Sequence, residues 1–233
     1  MLKLEDVTKK YGGLAAVSGV TLSFPESEIC AVIGPNGTGK TTLFSLIAGS
    51  LAPTSGCIRF RGTDITGWRS DRVCRLGIGR TFQVVRPFKG LTVREHLRAA
   101  AWFGGGSDRQ GSGIEKLLEL THLKDRADWP ASRLTLAGCK RLEIARALAT
   151  GASLLLLDET MAGLTPEETQ EAVELVRSIR NCGCGVILIE HVLAAVRSLS
   201  DRVVVLDYGR IIADGRPDEV LASDVVKKAY LGE

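Results

Sequence analysis

Residues 27–41 constrain the fold of this chain more than any other stretch. Ser27-Glu28-Ile29-Cys30-Ala31-Val32-Ile33 reads as a buried strand that runs straight into Gly34-Pro35-Asn36-Gly37-Thr38-Gly39-Lys40-Thr41. Thr42-Leu43-Phe44-Ser45-Leu46-Ile47 then continues as a helix. The pattern of a phosphate-binding loop is matched in full, in the strand–loop–helix setting that separates the motif from a chance glycine turn. Its glycines let backbone N–H groups wrap phosphate oxygens, and the start of the helix adds the positive end of its dipole. Lys40 supplies a point charge to the β and γ phosphates, and the Thr41 hydroxyl is a ligand for Mg²⁺. Gly34, Pro35, Asn36, Gly37, Thr38, Gly39, Lys40, Thr41 and the adjoining Thr42 are the nucleotide-binding candidates.

Two more apolar runs share the character of the first. Ser153-Leu154-Leu155-Leu156-Leu157 ends abruptly in Asp158-Glu159, and Gly185-Val186-Ile187-Leu188-Ile189 ends in Glu190-His191. Strands of this kind alternating with helix-like segments predict an α/β fold with a mainly parallel sheet. Polar residues at all three C-terminal ends predict one shared site, because open α/β sheets bind ligands there. The spacing places the loop strand and the Asp158 strand as neighbours. A carboxylate emerging beside a phosphate loop holds the metal through water, the Walker B role, which falls to Asp158. The second carboxylate, Glu159, is positioned to polarise an attacking water as general base.

The flanking regions read differently. Leu2–Val7, Val20–Phe24 and Ile58–Gly62 alternate apolar with polar residues, as half-exposed antiparallel strands do. Thr92–Leu97, Ile114–Leu120 and Lys140–Ala149 are helical, interrupted by the glycine-rich run 104–113, which reads as a flexible loop. The expected division is therefore a discontinuous core, 1–84 with 151–233, and a helical subdomain, 85–150. Thr165-Pro166-Glu167-Glu168 marks a helix start with a capping box and proline at the first position. Ala172, Leu175, Val176 and Ile179 fall on one face of that helix.

Composition narrows the function classes. Of 233 residues, 45% are hydrophobic and 24% charged, which excludes a disordered chain. Thirty basic against 27 acidic residues leave +3, too even for a nucleic-acid footprint. No window approaches the roughly 18 consecutive apolar residues of a membrane span. The opening Met1-Leu2-Lys3-Leu4-Glu5-Asp6 places acids where a signal peptide has its apolar run, so a cytoplasmic location is expected. The six cysteines lack the spacing of a zinc site or disulfide framework and read as reduced bystanders.

Taken together, the motifs resemble the ATP-binding cassette family of transport ATPases, and the resemblance runs through essentially the whole chain. It implies ATP and Mg²⁺ as cofactors. It further implies that Tyr11 stacks on adenine, that Gln83 in Arg80-Thr81-Phe82-Gln83 senses Mg²⁺ and the γ-phosphate, and that His191 is the switch histidine. Within the family, Gly77–Phe88, Leu142–Leu148 and the ending Ala229-Tyr230-Leu231-Gly232-Glu233 are similar to the ATP-binding subunits of branched-chain amino-acid importers. Urea importer subunits and lipopolysaccharide-export ATPases share parts of these segments, so an amide-type importer stands as an alternative.

The resemblance has departures. The family's Leu-Ser-Gly-Gly-Gln signature falls on Leu134-Thr135-Leu136-Ala137-Gly138. Thr135 keeps a hydroxyl for the partner's γ-phosphate, Ala137 restricts a backbone that has to approach that phosphate, and Gly138 is expected to loosen the segment. Thr160 stands where proline is usual, and Thr165 where aspartate is commoner.

The implied assembly is two such subunits, identical or paralogous, closed head-to-tail around two ATPs and driving separate integral membrane permease subunits. The implied location is the cytoplasmic face of the membrane. Each phosphate loop would face the other subunit's Thr135, Ala137 and Gly138; Lys40, Gln83, Glu159 and His191 would form the catalytic set, with Thr41, Gln83 and Asp158 at the metal. Val84-Val85-Arg86-Pro87-Phe88 is either a contact for the permease or ordinary core. Two rivals from other classes are a soluble ATP-switched protein of DNA repair or translation, and a regulatory nucleotide binder with little turnover. Neither a second cassette nor a long coiled-coil insertion is present to favour the first.

Overall fold

The computed structural model describes residues 1–81, 88, 90–105 and 112–231. In chain order, β1 (Leu2–Tyr11) and β2 (Leu14–Phe24) form a hairpin, and β3 (Ile29–Ile33) leads through the loop into α1 (Lys40–Ile47). β4 (Ser55–Phe60), β5 (Thr63–Asp64), α2 (Ser70–Leu76) and β6 (Ile78–Arg80) follow, then α3 (Val93–Gly104), α4 (Ser112–Leu120) and α5 (Leu136–Ala149). The chain returns with β7 (Leu154–Asp158), α6 (Pro166–Asn181), β8 (Gly185–Ile189), α7 (Leu193–Leu199), β9 (Arg202–Asp207) and β10 (Arg210–Gly215). It finishes with α8 (Pro217–Ala222) and α9 (Asp224–Leu231).

The period-two alternation of β3 explains the layering. Cys30 and Val32 point into one apolar layer, shared with Leu43 and Phe44 of α1 and with Leu2, Leu4 and Phe60 of the N-terminal strands. Ile29, Ala31 and Ile33 point into the other, against Val173, Val176 and Ile179 of α6 and Val196 of α7. All five residues are fully buried, so the strand has no solvent face and carries no polar side chain. The central sheet has the order β10-β9-β3-β8-β7-β6, parallel except for β10. The N-terminal sheet, order β2-β1-β4-β5, is antiparallel throughout, as the alternation predicts. A third apolar cluster is confined to the helices between β6 and β7, with Val93, Leu97, Leu118, Leu142 and Ala145 at its centre.

One expectation on sheet order is corrected. β3 and β7 are not neighbours, because β8 lies between them and pairs in parallel with both. Strand order is a long-range property: β8, contributed last of the three, is apolar on both faces and fills the slot between two earlier strands. The consequence is functional, since the insertion sets Glu190 and His191 between the phosphate loop and the Asp158-Glu159 pair. A second adjustment concerns α5, which starts at Leu136 rather than Lys140, with Thr135 as its N-cap. The α6 start has the expected capping box between Thr165 and Glu168, and its buried face is Val173, Leu175, Val176 and Ile179, with Ala172 at the margin.

Candidate active site

The loop between β3 and α1 is shaped by steric necessity. Gly34 has φ 145°, and a Cβ there would sit 2.0 Å from the Leu206 carbonyl oxygen of β9. Gly39 has φ 101°, and its Cβ would sit 2.1 Å from the Ala16 carbonyl of β2. The Gly34 N–H donates to the Tyr230 hydroxyl of α9 at 2.9 Å, and the Gly209 N–H donates to the Thr38 carbonyl at 3.0 Å. The loop is thus clamped from β2, β9 and the C-terminal helix. Among the described residues, the backbone N–H groups from Asn36 through Thr42 donate to no protein acceptor. A run of donors at the start of a helix, beside a lysine, is an anion site by construction.

Lys40 is held inside this loop. Its ammonium donates to the Gly34 and Pro35 carbonyls at 2.7 Å each. Burial pulls its pKa below the usual lysine value, opposed by the negative charge of Glu159 and Asp158. Those two carboxylates come from the far side of β8, so the chain brings the polar residues at the three strand ends together.

Asp158 is buried at the end of β7. Its Oδ2 accepts from the Arg80 guanidinium at 3.0 Å, its own N–H donates to the Thr81 hydroxyl at 3.1 Å, and its Oδ1 has no hydrogen-bond partner among the described residues. Burial raises its pKa, and the Arg80 hydrogen bond and charge lower it. An orphaned buried carboxylate oxygen, with the exposed Thr41 hydroxyl at the head of α1, supplies the hard oxygen donors that Mg²⁺ takes, so the residues fit that ion.

Glu159 follows with φ 51°, a left-handed conformation that costs a non-glycine residue about 1–3 kcal/mol. It is held there by its N–H donating to the Ile189 carbonyl at the end of β8. Its Oε1 lies 3.1 Å from His191 Nε2. Beneath them, buried Glu190 accepts from the Met161 N–H at 2.9 Å and the Thr160 hydroxyl at 3.3 Å. Thr160, the departure from proline, therefore has a partner of its own. Lys140 of α5 donates to the carbonyls of Glu159 at 3.0 Å and Ala162 at 2.5 Å, tying the helical region to the carboxylate loop.

Other candidates lie apart from the loop. Tyr11 is half exposed at the end of β1, with the Lys9 ammonium 5.3 Å from its ring centroid. The Thr135 oxygen accepts from the Gly138 N–H at 3.2 Å, leaving its O–H as a donor. Gly138 is not loose: it sits in the first turn of α5, where a Cβ would meet Leu134 at 3.2 Å. Ala137 is buried and helical, whereas Leu136 is 51% exposed. Gln83 lies outside the described residues, as do 84–87. Phe88 is 56% exposed and stacks on His96, whose Nε2 accepts the Phe88 N–H at 2.9 Å. It borders a groove of about 520 Å³ lined also by Phe103, Arg80, Glu143 and Arg146. The exposure of Phe88 speaks against the core alternative for that residue.

Sequence reasoning passed over Arg80, Lys140, Glu190 and Tyr230. For Arg80 and Lys140 a usable signal existed, a cation in a segment that becomes buried. Tyr230 gave none, since its partner is 196 residues away.

Comparisons with known proteins bear on the family and the fold. The family described as "ABC transporter" matches residues 17–162, and that described as "Branched-chain amino acid ATP-binding cassette transporter" matches residues 210–233. The chain belongs to the ABC transporter family. It is accordingly an ATP-binding cassette, an ATPase of the kind that couples hydrolysis to transport. The high-affinity branched-chain amino acid transport ATP-binding protein LivG of Salmonella typhimurium is 37% identical, over all of this chain and 98% of its own length. BraF of Pseudomonas aeruginosa, which bears the same description, is 38% identical over the same shares. A crystal structure of a nucleotide-free ATP-binding cassette from an ABC transporter superposes with a TM-score of 0.91 at 31% identity, covering 100% of this chain and 99% of that one. No helix among the described residues is long and apolar enough to cross a membrane.

Proposed function

We propose that the chain powers import of branched-chain amino acids through separate membrane subunits, at the cytoplasmic face of the membrane. The observation that carries this reading is full-length similarity to two branched-chain amino acid transport ATP-binding proteins, together with the family match at the C-terminal segment. That similarity extends beyond the ATPase core that all cassettes share, and so speaks against the amide-importer, DNA-repair and translation alternatives.

The residues divide the work. N–H groups of Asn36–Thr42 and the Lys40 ammonium bind the β and γ phosphates. Thr41 and Asp158 hold Mg²⁺, with Gln83 as a further ligand; when bound, the ion neutralises charge on the phosphate oxygens. Glu159 takes a proton from the attacking water, and His191, within hydrogen-bond reach of the Glu159 carboxylate, steadies it. Tyr11, exposed at the edge of the N-terminal sheet, offers a face to adenine. The head of α5, with the Thr135 hydroxyl and exposed Leu136, faces a second cassette across its ATP. Phe88 and its groove receive the membrane subunit.

The test is light scattering with size exclusion on Glu159→Gln protein, with and without Mg-ATP. An ATP-dependent dimer supports a self-pairing motor. A monomer that binds ATP directs the search to a paralogous cassette. Uptake of leucine by vesicles containing the chain with its membrane subunits tests the substrate; uptake of urea instead of leucine would overturn it.

A further inference from the structure

One guanidinium, that of Arg80, engages the candidate metal ligand Asp158 directly and, through Ser45, the helix that carries Thr41. It lies at the end of β6, with its side chain 10% exposed. Nη2 donates to Asp158 Oδ2 at 3.0 Å. Nη1 donates to the Ser45 hydroxyl at 2.9 Å, and that hydroxyl donates to the Thr41 carbonyl at 2.8 Å, one turn earlier in α1. The chain Asp158–Arg80–Ser45–Thr41 therefore joins the end of β7 to the head of α1 across the sheet. Among the described residues, the buried carboxylate has a partner at Oδ2 and none at Oδ1.

We propose that Arg80 is a positioning residue for the metal site: it engages Asp158 through Oδ2, reserves Oδ1 for the cation, and fixes α1 relative to β7 through Ser45. This rests on the reading of Thr41 and Asp158 as the metal ligands. A planar guanidinium suits the task because its two nitrogens hold two acceptors at a fixed separation, which an ammonium does not do. Simple charge compensation of a buried carboxylate would need only one of these contacts. The second, to Ser45, brings in the helix that carries Thr41. The lysine of the loop does not substitute, because its ammonium is bonded to the Gly34 and Pro35 carbonyls.

The experiment measures Mn²⁺ binding by electron paramagnetic resonance, in the presence of a non-hydrolysable ATP analogue, and analogue binding in EDTA. Glu159→Gln protein serves as the parent. Arg80→Met is expected to weaken Mn²⁺ binding at least tenfold while changing metal-free nucleotide affinity less than twofold. Arg80→Lys should recover part of the loss. Ser45→Ala, which keeps the Asp158 ion pair and removes only the link to α1, should weaken Mn²⁺ by two- to fivefold and keep the fold even if Arg80→Met does not. Unchanged Mn²⁺ affinity in Ser45→Ala and Arg80→Lys, with loss in Asp158→Asn, would overturn the proposal and leave the metal-site reading intact. Unchanged affinity in Asp158→Asn would overturn both. An equal fall of metal and metal-free nucleotide affinity in Arg80→Met would mark a general structural role and also overturn it.

Discussion

The phosphate loop and the head of α5 are the two short motifs to which we assign contacts with ATP, yet the chain enforces them differently. At Gly34 and Gly39 the protein's own carbonyls occupy the place of any side chain, so glycine is compelled by the interior. At residues 134–138 the segment is a helix start capped by the Thr135 side chain, with Leu136 and Ala137 in its first turn. Of the departures from the family pattern, those at 135–138 fall on this helix start, whereas Thr160 is buried against Glu190 within the chain. At the loop, intramolecular sterics admit little but glycine, while the helix start accepts any residue that caps or continues a helix.

The strongest way to break this comparison is substitution in the loop. Gly34→Ala and Gly39→Ala each combine a close approach with a left-handed φ, and should cost about 3–5 kcal/mol, read by urea denaturation. Gly37 has φ 80° but open space around its Cβ position, so Gly37→Ala should cost only about 1–2 kcal/mol while weakening ATP binding. Equal effects at the three glycines would refute the steric account.

Glu159 sharpens the same contrast within the core, because a non-glycine residue there holds a left-handed backbone. Glu159→Gln should lower steady-state ATP hydrolysis by about 10²–10⁴-fold and leave the melting temperature near the parent's. Glu159→Gly should be equally inactive yet about 1 kcal/mol more stable, since glycine tolerates φ 51°. The reverse ordering of stabilities would show that the His191 contact outweighs the backbone strain.

The smallest effects belong to α5. Thr135→Ala should cost about 1 kcal/mol by removing the cap, and Thr135→Ser only a few tenths, both measured by denaturation. Ala137→Gly, which restores the family's residue, should cost about 0.5–1 kcal/mol of helix stability. It should strengthen ATP-dependent pairing if the methyl group hinders approach to the partner's phosphate.

What could be read in advance was local. The loop, the Asp158-Glu159 ending of a leucine strand and the Thr165–Glu168 capping box each declare themselves within a few residues. The α5 start is harder to read, because a threonine that caps a helix and one that offers its hydroxyl to a partner look alike in sequence. Strand order is not legible locally, because nothing near β3 or β7 announces that β8 separates them. Arg80, Lys140 and Tyr230 were missed for the same reason, since each acts on a segment distant in sequence. Their hydrogen-bond partners are 35 and 78, 19 and 22, and 196 residues away.

Strand order also has a consequence for biosynthesis. β3, apolar on both faces, pairs with β8 and β9, whose residues follow it by roughly 150 or more positions. At about 5–20 residues per second of translation, the strand waits on the order of 10–30 s on the ribosome before its neighbours emerge. The nucleotide loop is completed later still, when Tyr230 arrives to accept the Gly34 N–H. Throughout that interval the nascent chain carries an unpaired hydrophobic strand, which makes β3 a segment for chaperones to cover and a place where truncated chains can aggregate.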